Sequence, residues 1–331
     1  MTAALTTDPR QAALTLRQGG LVAFGTETVY GLGANAFDVQ AVARVFEAKG
    51  RPTFDPLIVH VSSREMLSQV VAEVPPVAEQ LINEFWPGPL TLVLPKRDFV
   101  PDLVTAGLPT VGVRMPAQPL ALEMIEAAGV PVAAPSANPF GRVSPTTAEH
   151  VIQSLGDRID MVLDCGPCEV GLESTIVSHV HGDAPTVLRL GGLTVEEIEA
   201  TIGPVPLLTA QQHEEHLPMA APGSLARHYA PRKPLTILRE HEVPPPGSDV
   251  GVLTLMALCS EASFGAVEIL SQTGSLTEAA ARFFGALRRL DAAPVSRLYA
   301  HSFPDHGLGR ALNDRLTRAA AGAPANESNL T

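Results

Sequence analysis

A chain of 331 residues, 45% hydrophobic and 18% charged, has the composition of a globular protein long enough for two domains. Its 35 acidic residues against 23 Lys and Arg leave a formal net charge of -12, which argues against broad non-specific binding to nucleic acid or an anionic membrane, though not against a local basic cleft. No apolar run reaches the ~18 residues that span a bilayer, residues 1–10 have no signal-peptide pattern, and three cysteines cannot build a disulfide framework, so a cytoplasmic location is expected.

Residues 10–18 read as a helix closed by Gly19-Gly20, and residues 21–24 as a short buried strand. The next stretch, Gly25-Thr26-Glu27-Thr28-Val29-Tyr30-Gly31-Leu32-Gly33, puts hydroxyls and glycine backbone at a strand end, a composition suited to a ligand. Gly31-x-Gly33-x-x-Ala36 has the outline of a dinucleotide fingerprint, but Thr26-Glu27-Thr28 separates it from the strand, which argues against nicotinamide binding. Asp38 is placed to cap a helix in which Val39, Val42, Val45 and Phe46 recur at helical spacing. Gly50 suits a left-handed helix end and Pro52 cannot continue the helix, so Lys49 and Arg51 flank a turn. Taken alone, the two cations either complement the helix dipole, worth about 0.3 to 1 kcal/mol, or form an anion site.

Residues 57–61 form a second strand, residues 76–85 a helix stopped by Trp86-Pro87-Gly88-Pro89, and residues 90–94 a further strand. Residues 110–115 alternate, so Val111, Val113 and Met115 face the core while Thr110, Gly112 and Arg114 share the opposite face. Thr110 and Arg114 then stand about 13 Å apart, the span of a small extended ligand. A helix over 119–128 and a strand over 130–134 lead into Pro135-Ser136-Ala137-Asn138. Thr146 with Glu149 is expected to box the start of a helix reaching Leu155, and Thr194 with Glu197 that of another. Strands are expected at 161–163, 175–180 and 187–190.

The spacing of Cys165-Gly166-Pro167-Cys168 is that of a redox pair or half a zinc site. No second pair completes it and no βαβ opening precedes it, so a structural role is the better reading. Composition shifts after Gly203. Residues 204–232 read as a linker containing Ala221-Pro222-Gly223-Ser224-Leu225-Ala226-Arg227-His228-Tyr229-Ala230-Pro231. A second pattern follows, with strands at 235–238, 250–255 and 296–300 and helices at 276–290 and 308–320, before a loose tail at 321–331. The expected division is 1–203, 204–232 and 233–331, and strands alternating with helices imply an α/β fold.

Lys49, Arg51, Arg114, Arg142 and Arg189 all lie in or beside loops and strand ends of an acidic protein, accompanied by Thr26, Thr28, Ser136, Asn138, Ser144 and Ser174. Cations with hydroxyls and open glycine backbone are what phosphates and carboxylates require. No G-x-x-x-x-G-K-[ST] loop is present, so a nucleotide would not be held as in P-loop enzymes.

Gly25 to Gly33, Lys49-Gly50-Arg51-Pro52, Trp86-Pro87-Gly88-Pro89-Leu90-Thr91, Ala134-Pro135-Ser136-Ala137-Asn138 and Gly171-Leu172-Glu173-Ser174-Thr175 resemble, in order, the motifs of the YrdC/Sua5 family of threonylcarbamoyl-AMP synthases. The resemblance covers essentially the whole chain. It implies a twisted open-sheet YrdC-like domain, a linker and a smaller Rossmann-like α/β Sua5 domain. It also implies conversion of L-threonine, bicarbonate and ATP into threonylcarbamoyl-AMP and pyrophosphate, ahead of a tRNA-modifying threonylcarbamoyl transferase. By similarity, Lys49 and Arg51 are catalytic and face the triphosphate and carbamate, and Thr28, His60, Arg114, Ala134 and Ser174 line the threonine site. Asp55, Thr110, Ser136, Asn138, Ser144, Arg189, His228 and Tyr229 join Lys49 and Arg51 at the nucleotide. Mg2+ is expected with ATP, without a dedicated protein cage, and stable nucleic-acid binding is not expected. The alternative is an RNA-binding module of the same fold without synthase activity. Three positions depart from the family pattern: Gly25 replaces a common proline, Asp55 replaces the usual asparagine, and Ser224-Leu225-Ala226 replaces a stretch usually containing methionine and basic or aromatic residues.

Overall fold

The computed structural model describes residues 2–179, 184–208, 228–239, 242–258 and 262–324. The expected features at Ala221 to Arg227, Val180, Cys259 and the end of the tail lie outside these residues. The chain divides into two compact units. The first comprises Met1–Phe140, Pro145–Glu169 and Glu173–Ser224; the second comprises Gly141–Ser144, Val170–Leu172 and Leu225–Thr331.

The first unit is built on an open mixed sheet of β1 (Ala4–Thr6), β2 (Val22–Phe24), β3 (Gly31–Asn35), β4 (Ile58–His60), β5 (Leu90–Pro95), β6 (Thr110–Arg114), β7 (Val132–Ala133), β8 (Met161–Leu163), β9 (Thr175–Ser178) and β10 (Thr186–Arg189), in the order β1-β8-β2-β3-β7-β4-β6-β5-β9-β10. Alternation along β2 sends Val22 and Phe24 to one core and Leu21 and Ala23 to the other, so both faces of the sheet are covered by apolar layers. The helix Val39–Lys49 serves both layers, giving Val42 and Phe46 to the first and Ala41, Val45 and Ala48 to the second.

Local chemistry sets the ends of these elements. Asp38 caps its helix by accepting from the amides of Gln40 and Ala41, and Gly50 closes it at φ 61°, in the left-handed region that favours glycine. Thr194 and Glu197 form the expected capping box. The box expected at Thr146 and Glu149 is displaced by one residue: Thr147 caps the helix Ala148–Leu155 by accepting from His150 N. The reason is local, because the Thr146 amide is committed to Nδ1 of His150 at 3.3 Å and Glu149 turns outward to Gln153.

The stretch Gly31–Asn35, read from sequence as glycine backbone at a strand end, is itself a strand antiparallel to β2. Gly33 makes that pairing possible: a Cβ there would meet Val132 Cγ1 at 2.7 Å and Phe24 Cε1 at 2.8 Å. The glycines therefore sit within a strand, not in a turn leading to a helix as a dinucleotide fingerprint requires.

In the second unit β11 (Leu235–Leu238), β12 (Gly247–Thr254), β13 (Phe264–Ile269) and β14 (Arg297–His301) form a parallel sheet in the order β11-β14-β12-β13. The helix Leu276–Ala292 buries Ala280, Phe283, Leu287 and Leu290 as its spacing predicts, and the helix Leu308–Gly322 buries Ala311, Leu312 and Leu316. β13 is absent from the sequence reading because its side chains are at most half-buried, which leaves no strong hydrophobic pattern. Among the described residues no helix is long and apolar enough to cross a membrane.

Candidate active site

Two buried polar clusters in the first unit collect most of the residues singled out from sequence. The first is centred on the helix end at Lys49. Phe140 N donates to the Lys49 carbonyl, tying the loop after Asn138 to the helix end. Lys49 Nζ in turn donates to the backbone carbonyls of Ser136 and Asn138, each at 2.5 Å. Lys49 is only 2% exposed, and burial, reinforced by the Arg51 charge, holds its ammonium well below the usual lysine range.

One turn later the chain folds back on Arg51. Its guanidinium donates to the carbonyls of Asp55 and Pro56, at 3.2 and 2.9 Å, and makes an ion pair with Asp55 Oδ1 at 2.7 Å. The ring of Phe140 lies 5.9 Å from Arg51 Cζ. Burial raises the Asp55 carboxyl, while Arg51, Lys49 and Arg189 pull it back. Arg189, from β10, donates to the Ser174 carbonyl at 3.1 and 2.9 Å and to Ser174 Oγ at 3.1 Å. Ser174 Oγ also shares a proton with Thr91 Oγ1 at 2.7 Å.

The second cluster surrounds Arg114. Parallel pairing of β4 with β6 sets His60 beside Arg114, and the Ala134 amide donates to the Ile58 carbonyl. The Arg114 guanidinium donates to Gly88 O at 3.1 Å, to Thr28 Oγ1 at 2.8 Å and to Glu27 Oε1 at 2.5 Å. Glu27 Oε2 accepts from the Ala117 amide, and Thr26 Oγ1 meets Thr28 Oγ1 at 2.8 Å. His60 packs edge-on against Phe24, and burial next to the Arg114 charge lowers its imidazole to about 3, so the ring is neutral at physiological pH. Thr110 lines a narrow cleft with Pro56, Ile58, Thr91, Gly112 and Ile176.

Ser144, His228 and Tyr229 belong to the second unit. Arg288 donates to the carbonyls of Val143 and Ser144, and Ala230 N donates to Gly141 O. Tyr229 adopts φ 62°, unusual for a bulky residue. It is held between Phe284, with ring centroids 5.4 Å apart, and the Arg315 guanidinium at 5.2 Å. Arg142, counted among the cations from sequence, is exposed.

Glu27, Thr91 and Arg288 are the polar partners that sequence reasoning missed. Glu27 lies within the quoted Thr26-Glu27-Thr28 motif, but its pairing with a residue 87 positions away has no local signal. Cys165 and Cys168 lie under the same loop: the Cys165 amide donates to Tyr30 Oη and the Cys168 amide to Thr146 O. Burial pushes the Cys165 thiol up to about 12, which suits packing better than nucleophilic chemistry.

A two-domain α/β protein with buried cations and hydroxyls at the strand ends has the equipment of an enzyme that handles phosphate and carboxylate groups together. Comparison with known proteins gives that class a family. Residues 14–191 match the Sua5/YciO/YrdC family model, described as telomere recombination, and residues 193–321 match a model described as the C-terminal domain of threonylcarbamoyl-AMP synthase. The chain belongs to the Sua5/YciO/YrdC family. It is 45% identical over 329 residues to the threonylcarbamoyl-AMP synthase of Bacillus subtilis, covering 96% of this chain and 94% of the relative. It is 43% identical over 323 residues to that of Pyrococcus abyssi, covering 94% and 93%. The crystal structure of P. abyssi Sua5 complexed with L-threonine superposes with a TM-score of 0.87 at 40% identity, covering 98% of this chain and 99% of that one.

Proposed function

We propose that this protein is a threonylcarbamoyl-AMP synthase, forming threonylcarbamoyl-AMP and pyrophosphate from L-threonine, bicarbonate and ATP. Full-length similarity to synthases supports the assignment, and the observation that carries the chemistry is the gathering of Lys49, Arg51 and Arg189 around one buried site. In the reaction an oxygen of the threonine carbamate bonds to the α-phosphorus as the bond to the bridging oxygen breaks and pyrophosphate leaves. Both partners are anions, so the barrier is largely charge repulsion, and fixed cations lower it.

Lys49 and Arg51 are the residues assigned to that role. An incoming polyphosphate adds to the counter-charge that Asp55 gives the buried Lys49, which strengthens its ammonium form where negative charge accumulates. Arg189, tied to Ser174 and Thr91, Thr110, and Ser136 with Asn138 are assigned to the nucleotide. Threonine is assigned to the second cluster: its carboxylate to Arg114, which keeps donors beyond the three bonds it makes, and its remainder to Thr28, His60, Ala134 and Ser174. Ser144, His228 and Tyr229 are assigned to the nucleotide as well. Among the described residues no group of three or more His, Cys, Asp or Glu is placed to hold a metal ion. Asp55, the carboxylate amid these cations, is engaged by Arg51. Mg2+ is assigned to the ATP phosphates, whose oxygens are its ordinary ligands. A cytoplasmic location and a downstream threonylcarbamoyl transferase complete the reading.

The test is pyrophosphate release from ATP that requires both threonine and bicarbonate, with the adenylate product identified by mass. Tight, salt-sensitive binding of tRNA without pyrophosphate release would overturn the assignment in favour of an RNA-binding module.

A further inference from the structure

Asp55 has 0% exposure, yet neither oxygen of its carboxylate accepts a hydrogen bond of ordinary geometry among the described residues. A buried carboxylate in that state is costly unless charge compensates it. Compensation comes from the ion pair with Arg51 at 2.7 Å, from Lys49 on the helix Val39–Lys49, and from Arg189 on β10. These are three cations assigned above to the nucleotide. In the free protein Asp55 therefore stands where a phosphate oxygen's charge is needed, as an internal counter-ion.

We propose that Asp55 takes up a proton when ATP binds, passing its three cations to the phosphates. Two anions sharing one set of buried cations cannot both remain ionised cheaply, and the group with the weaker hold on its charge is neutralised. Burial already raises the Asp55 carboxyl from its ordinary value. The arriving polyphosphate weakens the cationic stabilisation and raises it further. By linkage, a group whose proton affinity increases on binding makes the ligand bind more tightly at lower pH. The affinity of the wild-type protein for ATP then falls as pH rises, by up to tenfold per unit between the carboxyl's free and bound values. The Arg51 side chain keeps its hydrogen bonds to the Asp55 and Pro56 carbonyls throughout, so it remains aimed while its counter-ion changes.

The proposal rests on the synthase reading for the place of ATP, and the experiment separates the two. Calorimetric titration of the full-length protein with magnesium-ATP, without threonine or bicarbonate, is run in two buffers of different ionisation enthalpy over pH 6 to 8, for wild type and Asp55→Asn. Proton exchange by ATP itself is common to both proteins and cancels. Wild type is expected to take up as much as one more proton per ATP than Asp55→Asn, which binds more tightly at pH 8 and loses most of the pH slope. Equal proton uptake by the two proteins, with no protonated-carboxyl band appearing in wild-type infrared difference spectra on ATP addition, overturns the proposal while leaving the synthase reading intact. Absence of ATP binding by both, with threonine added as well, overturns both. Infrared difference spectra of the wild-type protein give a check free of any substitution: a protonated-carboxyl band is expected to appear on ATP addition, and its absence at pH 7 counts against the proposal.

Discussion

The two buried ion pairs answer differently to substitution because their surroundings differ. Arg114 and Glu27 are 3% and 7% exposed and sit within a network of carbonyl, hydroxyl and amide partners, so removing one partner strands the other in a dry site. Glu27→Ala is expected to lower stability by about 3 to 5 kcal/mol, and Glu27→Gln by less, as read from denaturant midpoints. Lys49→Ala and Arg51→Ala are each expected to abolish threonine-dependent pyrophosphate release, because each removes positive charge from a site where two anions meet. Product formation at the wild-type rate by both variants would contradict that.

His60 carries a pH signature. The unfolded chain protonates this histidine near its ordinary 6.5 and the folded protein near 3, so folded stability due to the neutral ring is intact above 6.5 and is lost as pH falls toward 3. At pH 5 the loss amounts to about 2 kcal/mol. His60→Gln, which removes the titration, is expected to flatten the stability curve between pH 6.5 and 5 in thermal melts, whatever its effect at pH 7.

Elements carry these side chains into place by their ends. Gly50 closes the helix Val39–Lys49 at φ 61°, with open space where a Cβ would stand, so Gly50→Ala meets backbone strain and no clash. A loss of about 1 kcal/mol is expected, and because the strain falls between Lys49 and Arg51, the ATP concentration for half-maximal rate is expected to rise. Gly25 differs, since a Cβ there would lie 2.7 Å from Cys165 Cβ and 2.9 Å from Tyr30 Cζ. The space beside Gly25 is filled by these neighbours. Gly25→Ala is expected to destabilise by about 1 to 3 kcal/mol through overpacking, and Cys165→Gly in the same chain to restore part of it. The helix Leu276–Ala292 acts through Arg288, whose bonds to Val143 and Ser144 fix the backbone of a proposed nucleotide contact. Arg288→Met keeps much of the packing and removes those bonds.

For the whole molecule, the boundaries of the units matter more than the order of the chain. Gly141–Ser144 and Val170–Leu172 cluster with Leu225–Thr331, a segment that begins more than fifty positions later. Gly171, at φ 73°, shows how closely: a Cβ there would meet the Ala280 carbonyl oxygen at 2.4 Å. A chain ending at Ser224 therefore loses the partners of the segment carrying Ser144. Its amides at residues 141–144 are expected to exchange faster with solvent than in the full-length protein, and its ATP binding to weaken. Unchanged exchange in that segment would refute the dependence.

By itself the sequence determined the succession of helices and strands, the turn at Gly50, the capping box at Thr194 and the residue types gathered at strand ends, because these depend on neighbours within a few positions. It marked Lys49-Gly50-Arg51 as a charged turn with two open readings, and the ordered motifs pointed to the family. Strands with glycine or half-exposed side chains, such as β3 and β13, were invisible locally because pairing, not propensity, creates them. Only the tertiary structure decided that Lys49 is buried on two carbonyls, that Arg114 answers to Glu27, that Arg189 reaches Ser174, and that Asp55 is the counter-ion of the cation cluster. The reason is physical: the charge state and partner of a buried group are set by desolvation and by residues tens of positions away in sequence, and no local pattern records either.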